Sequence, residues 1–214
     1  DCSSLSFGHW LCFGCLKHAL LRPLMWISEN LSLRERRNAF LETVRTLAQK
    51  ECSIVQTFTD APELGFCPGE RDFTVGIALC SRATFWSDAC LLLDQMSTNM
   101  LRPNVFSYSA AISACETNAR WEQALTLFEA MLTARIAPNV ISYSATISAC
   151  EKGDQWQLAL TFFDAMQTGR HRADVISYNA AISACAKGAQ WIMAVAFFHA
   201  MSNSNIAPTI ISYN

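Results

Sequence analysis

The stretch VFSYSAAISACETNARWEQALTLFEAMLTARIAPN, residues 105–139, is followed by VISYSATISACEKGDQWQLALTFFDAMQTGRHRAD, residues 140–174. A third copy follows, VISYNAAISACAKGAQWIMAVAFFHAMSNSNIAPT, residues 175–209. Three consecutive blocks of 35 residues align without a gap, so the fold is decided by the period before any single motif is read. The columns are Ser107, Ser142, Ser177 and Ser212; Tyr108, Tyr143, Tyr178 and Tyr213; Ile112, Ile147 and Ile182; Trp121, Trp156 and Trp191; Ala124, Ala159 and Ala194; Phe128, Phe163 and Phe198; and Met131, Met166 and Met201. A fourth copy begins at residues 210–214. Upstream, residues 70–104 form a divergent copy that keeps Phe73, Ile77, Cys80, Trp86, Ala89, Met96 and Pro103 in register.

Within a block, Tyr108, Ile112 and Cys115 fall at helical spacing, i, i+4 and i+7, with Ser107 placed to cap the helix start. After a polar break at residues 116–120, Trp121, Ala124, Leu125, Phe128 and Met131 repeat that spacing and predict a second helix. Pro138 ends the block, because it lacks an N–H and disfavours helix in the residue before it. Each block therefore predicts an αα-hairpin, with the small Ala124 column letting its two helices approach. One hairpin leaves an apolar stripe wet, so neighbours must stack. The expected architecture is an all-α solenoid, a right-handed superhelix of tandem hairpins whose working edge is formed by the first helices.

The net charge is −2, and no segment is strongly basic: residues 1–69 carry 7 basic and 7 acidic residues, 70–104 carry 3 and 4, and 105–214 carry 6 and 7. That balance argues against a protein gripping nucleic acid mainly by counterion release, and against a DNA-duplex binder of that kind. Of the 10 cysteines, Cys80, Cys115, Cys150 and Cys185 occupy one column on the inner face of the first helices. Equivalent positions on stacked helices lie roughly 8–10 Å apart, beyond disulfide reach, so these read as small core residues and reduced thiols in an intracellular compartment. Cys12 and Cys15 make a CxxC pair without a second pair at zinc-finger spacing. No metal and no cofactor is expected.

Residues 1–69 read as an N-terminal helical capping region. Leu5–Ile27 is apolar but interrupted by His9, Lys17, His18 and Arg22, which favours a packing helix over a membrane span; its lack of acidic residues also suits a targeting remnant. Residues 32–52 predict a helix with an apolar stripe of Leu33, Phe40, Val44, Leu47 and Ala48. Pro68 lies 35 residues before Pro103, which suggests a decayed repeat here. The sequence contains no HxE with a following CxxC, no GxSxG, no HExxH and no P-loop, so the residues in hand read as non-catalytic, with any effector domain lying beyond them.

The 35-residue period with its Tyr, Ile, Ala, Phe, Met and Pro columns resembles the pure-repeat class of the pentatricopeptide repeat family, over residues 70–214, about two thirds of the chain. The resemblance implies binding of single-stranded RNA, one base per repeat, by a monomer acting on organellar transcripts in chloroplast or mitochondrion. In that family the fifth and last residues of a unit contact the base edge. Here they are Thr74 with Asn104, Ser109 with Asn139, Ser144 with Asp174, and Asn179 with Thr209, with Asn214 at the fifth place of the last copy. The implied reading is 5′-A-A-G-pyrimidine-3′, the small hydroxyls and amides standing on a solvent edge. Phe106, Ile141, Ile176 and Ile211 occupy the base-sandwiching column, and Arg82, Lys152 and Lys187 the column that contacts phosphate. A Lys there also suits the negative end of a helix. Tyr108, Tyr143 and Tyr178 share a face with the Ile column and read as inter-repeat core, as does the Trp column. The alternative is a protein-binding solenoid of tetratricopeptide-like type, which the neutral charge favours.

Overall fold

A computed structural model describes residues 32–50, 53–62 and 66–213. Leu5–Ile27, Cys12, Cys15 and Asn214 lie outside the described residues. The described residues form eleven α-helices and no strand. An N-terminal pair, α1 (Leu33–Gln49) and α2 (Val55–Asp60), precedes the repeats. The repeats are α3 (Glu70–Arg82) with α4 (Trp86–Thr98), α5 (Val105–Thr117) with α6 (Trp121–Thr133), α7 (Val140–Lys152) with α8 (Trp156–Thr168), and α9 (Val175–Lys187) with α10 (Trp191–Asn203). The last copy opens with α11 (Ile210–Tyr213). No described helix is long and apolar enough to cross a membrane.

Every repeat helix is 13 residues long, and its ends follow from backbone chemistry. Each closes with a left-handed residue one place past its C-cap: Thr84, Ala119, Asp154 and Ala189 after the first helices, and Met100, Arg135, Arg170 and Asn205 after the second. The next N–H then reaches back to the third-last carbonyl, as in Arg120 N–H to Cys115 O (3.0 Å) and Ile136 N–H to Met131 O (3.0 Å). These are Schellman closures, and none of the left-handed residues is glycine.

The glycines serve space instead. Gly153 has an ordinary φ of −85°, but a Cβ there would lie 2.1 Å from Trp121 Cδ1, in the preceding repeat. Gly188 meets Trp156 in the same way, at 2.6 Å from Cγ. The indoles of Trp121 and Trp156 are therefore wedged between neighbouring hairpins, half-buried at the edge of the inter-repeat core. Trp191 is 71% exposed. At the first junction Asn118 replaces the glycine, its Nδ2 donates to Thr84 O (3.0 Å), and Arg120 lies over the Trp86 ring at 5.1 Å.

The tyrosines complete the junctions. Tyr143 packs edge-on against Phe128 (5.0 Å), Tyr178 against Phe163 (5.0 Å) and Tyr213 against Phe198 (5.1 Å), each reaching from one repeat to the one before. Ala89, Ala124 and Ala159 are fully buried between paired helices, as are Met96, Met131, Met166 and Met201. The cysteine column is buried and free of disulfides. Burial pushes Cys80 up to about 12 and Cys150 up to about 11, because a thiolate there would lose its water. Cys115 is raised as well, first by its hydrogen bond to Cys90, which in turn is lowered by that bond.

The first helices α3, α5, α7 and α9 stack directly on one another, while α1 touches α3 far less. α1 is tied at its start by Arg37 Nε to Asp72 Oδ1 (2.7 Å), and α2 by Ile54 N–H to the buried Asp88 carboxylate (3.3 Å). Ile54 and Ala61 are fully buried at places 35 residues before Ala89 and Met96, so this pair packs in repeat register.

Candidate nucleic-acid interface

Every first helix of the three regular repeats begins on the last residue of the unit before. Asn104 Oδ1 accepts from Phe106 N–H (2.9 Å) and Ser107 N–H (3.0 Å), and Ser107 Oγ accepts from Asn104 N–H (2.9 Å). Asn139 with Ser142 and Asp174 with Ser177 repeat this reciprocal box at 2.8–2.9 Å. The N-caps are thus Asn104, Asn139 and Asp174, and Ser107, Ser142 and Ser177 sit three residues inside, a correction to the capping role expected of the serines. The cap uses one side-chain atom and leaves the other open. Asn104 and Asn139 keep an unbonded Nδ2 amide, and Asp174 keeps Oδ2, all on half-buried residues at the same place of successive repeats.

The fifth-position hydroxyls are also engaged. Thr74 donates to Glu70 O (2.8 Å), Ser144 to Val140 O (2.8 Å) and Ser109 to Val105 O. Ser109 and Ser144 are only 3% and 5% exposed, so they do not stand on a solvent edge as expected; close stacking of the first helices covers them. Bonding back to the carbonyl spends their proton and leaves oxygen lone pairs as the group on offer. Asn179 and Thr209 come into direct contact, Asn179 Nδ2 donating to Thr209 Oγ1 (3.2 Å) while Ser212 Oγ donates to Asn179 Oδ1 (2.5 Å). No hydrogen bond joins Thr74 to Asn104, Ser109 to Asn139 or Ser144 to Asp174.

Phe106, Ile141, Ile176 and Ile211 are 64%, 55%, 60% and 69% exposed, an apolar row that a packed core does not explain. They stand at 35-residue spacing, two residues past each last-position side chain.

In the basic column, both lysines are already paired within the protein. Lys152 Nζ pairs with Glu116 Oε1 at 2.9 Å, and Lys187 Nζ with Glu151 Oε1 at 3.1 Å and Asp154 Oδ1 at 3.2 Å. Burial alone would lower the Lys187 ammonium, but its bonds to Glu151 and Asp154 outweigh that and raise it. Ser183 adds a hydrogen bond to Glu151 Oε1 (2.7 Å). Each lysine thus ties its first helix to the one before. Glu116 and Glu151 escaped the sequence reading because they lie 36 residues from their partners, one place off the repeat column; an acidic column beside the basic one was the signal. Arg82 is exposed and makes no ion pair among the described residues. No described group of three or more potential metal ligands comes together.

Family models match three segments: "PPR repeat family" over residues 103–152, "PPR repeat" over 141–170 and "Pentatricopeptide repeat domain" over 161–214. No curated protein matches in sequence. Among solved structures, the pentatricopeptide repeat protein PPR10 from maize, in complex with an 18-nt psaJ RNA element, superposes with a TM-score of 0.61 at 18% identity. That match covers 99% of this chain and 34% of PPR10, so the chain spans about a third of its relative. The pentatricopeptide repeat domain of Arabidopsis thaliana protein-only RNase P 1, in complex with tRNA, gives 0.67 at 12% identity, covering 80% of this chain and 92% of that one. Nuclear proteinaceous RNase P 2 of the same plant gives 0.63 at 10%, over 77% and 38%. At such identities the likeness is one of fold. The tandem hairpins, their 35-residue junctions and the three matching segments across residues 103–214 together show that the chain belongs to the pentatricopeptide repeat family.

Proposed function

We propose that this chain binds single-stranded RNA along the edge carrying Asn104, Asn139, Asp174 and Thr209, one base per repeat, without catalysing a reaction. The observation that carries the reading is the split use of the last-position side chains Asn104, Asn139 and Asp174. One atom caps the next helix, and the other is left open beside an exposed apolar residue. Phe106, Ile141, Ile176 and Ile211 are placed to lie against base faces. An open amide N–H₂ at Asn104 and Asn139 donates to the N1 acceptor of adenine, while the nearby hydroxyl oxygen accepts from its N6–H₂. The open carboxylate oxygen of Asp174 accepts from the N1–H and N2–H₂ of guanine. The chemistry supports 5′-A-A-G at the first three places, with a pyrimidine fourth from the Asn179 amide. PPR10 and the RNase P 1 repeat domain, both solved with RNA, support the same ligand class. An organellar transcript as target is part of this proposal and comes from the family.

A protein ligand is the second reading, favoured by the neutralised lysines. Fluorescence anisotropy against an unstructured RNA containing AAGC and a composition-matched scramble decides between them. The expected result is a preference of about tenfold for AAGC, roughly 1.4 kcal/mol, moving to AGGC in Asn139→Asp. Equal binding to both RNAs, or none at low salt, sinks base reading.

A further inference from the structure

Between the last turns of α1 and α3 lies an open cleft of about 540 Å³, lined by Arg45, Ala48 and Gln49 on one side and Leu79, Arg82, Ala83 and Thr84 on the other. We propose that this cleft holds a backbone phosphate of the RNA strand on the 5′ side of the first base read, with Arg45 and Arg82 as its ligands. The RNA track then continues past the repeats onto the N-terminal hairpin. The inference rests on the RNA reading above and adds to it a site shared between the first repeat and the N-terminal hairpin.

Three observations lead there. First, the other first helices stack closely, but α1 is held to α3 at its start, through Arg37 and Asp72, and has few contacts beyond. The cleft opens between their last turns. Second, Arg82 belongs to the same column as Lys152 and Lys187, which are each matched by a glutamate 36 residues earlier. The residue 36 places before Arg82 is Thr46, so at this junction the column's cation lacks the glutamate that its counterparts have. Third, the facing wall brings a second guanidinium, and Lys50 follows directly on α1. Two guanidiniums lining one cleft suit a phosphodiester, whose oxygens can accept from both.

Among the described residues, the charges that oppose an anion here are weak. The acidic group paired with Arg45 is Glu42, at 2.6 Å, and that pair is more than half exposed, so exchange for phosphate costs little. Both helices present carbonyl ends to the cleft, which repel an anion. Those carbonyls are already satisfied: Leu79 O by Ala83 N–H (3.0 Å), Cys80 O by Phe85 N–H (3.0 Å), Thr46 O and Leu47 O by Lys50 N–H (3.1 Å each), and Ala83 O by the Thr84 hydroxyl (2.6 Å). The long arginine side chains carry the positive charge out beyond them.

The test compares AAGC with UUUAAGC, both labelled at the 3′ end, by anisotropy across a salt series. The proteins are the full chain and an Arg45→Gln/Arg82→Gln double variant whose helicity is checked by circular dichroism. The expected result for the full chain is a gain of about fivefold or more from the 5′ extension, with a salt slope steeper by about 0.7 per added phosphate contact. In the double variant that gain disappears; the readout is the ratio of the two affinities, so a general weakening cancels. A ratio near one in the full chain, or a ratio that persists in the double variant, overturns the site while leaving base reading intact. If the full chain binds neither RNA, the site and the RNA reading fall together.

Discussion

Replacing Gly153 with alanine tests the wedge between repeats. The backbone there is right-handed, φ −85° and ψ 10°, a conformation alanine accepts freely. On backbone grounds alone the change stabilises by about 0.4–1 kcal/mol, because it restricts the unfolded chain. The packing says otherwise. The new Cβ would stand 2.1 Å from Trp121 Cδ1, 2.6 Å from Cγ and 3.0 Å from Cβ, the near end of a large side chain that cannot swing clear without leaving its slot. Overpacking of this kind costs about 1–3 kcal/mol. The preceding junction carries Asn118 at the place of Gly153, so a Cβ is accommodated at that position of the repeat, which argues for the lower half of that range. The net expectation is a loss of about 0.5–1.5 kcal/mol, by urea unfolding followed through ellipticity. In a Trp121→Ala background the obstruction is gone, and Gly153→Ala should then stabilise by about 0.5 kcal/mol. The reversal of sign is the signature of the wedge. A stabilising effect of Gly153→Ala with Trp121 in place would refute it.

Three further outcomes are expected. Asn139→Asp keeps the cap and should leave stability within about 0.5 kcal/mol, whereas Asn139→Ala loses both the cap and the open amide and should cost about 1 kcal/mol by the same assay; equal stability of Asn139→Ala would deny Asn139 its capping role. Ala119 and Ala189 hold left-handed φ values of 54°, so Ala119→Gly and Ala189→Gly should each stabilise by roughly 0.5–1 kcal/mol, checked by melting. Cys80 and Cys150 titrate higher folded than unfolded, so their contribution is whole below pH 9 and drains as pH rises toward 11 and 12. At pH 10 the loss is on the order of 1 kcal/mol per thiol, and the drop in melting temperature from pH 8 to 10 should shrink in a Cys80→Ala/Cys150→Ala variant.

The helices and their pairing were legible because a 35-residue period repeats every apolar column, and stacking has to bury the same face each time. The cap was misassigned between Ser107 and Asn104 for a physical reason. Both are capping residues, three apart, and each bonds the other's N–H, so the pattern is nearly symmetric and only the backbone shows where the helix begins. The burial of Ser109 and Ser144 was hidden because sequence stripes describe one face, while these helices are covered by neighbours on both sides. The run of Ser, Ala and Thr around α5 and α7, with no large polar residue before Glu116 and Glu151, was the available sign. The lysine ties were invisible to a column-by-column reading, since partners in different columns never align.

The ties, the wedge and the tyrosine contact all run from one unit to its predecessor. Excising residues 140–174 would bring Lys187 to Glu116, Gly188 to Trp121, Tyr178 to Phe128, and set Asn139 as the cap of the helix at Val175. Each joint so formed has the chemistry of the one it replaces. Gain or loss of a whole block by recombination between near-identical stretches is therefore almost neutral for folding, while it lengthens or shortens the reading row by a single position. Heredity can edit the message such a chain reads without first having to solve the folding problem again.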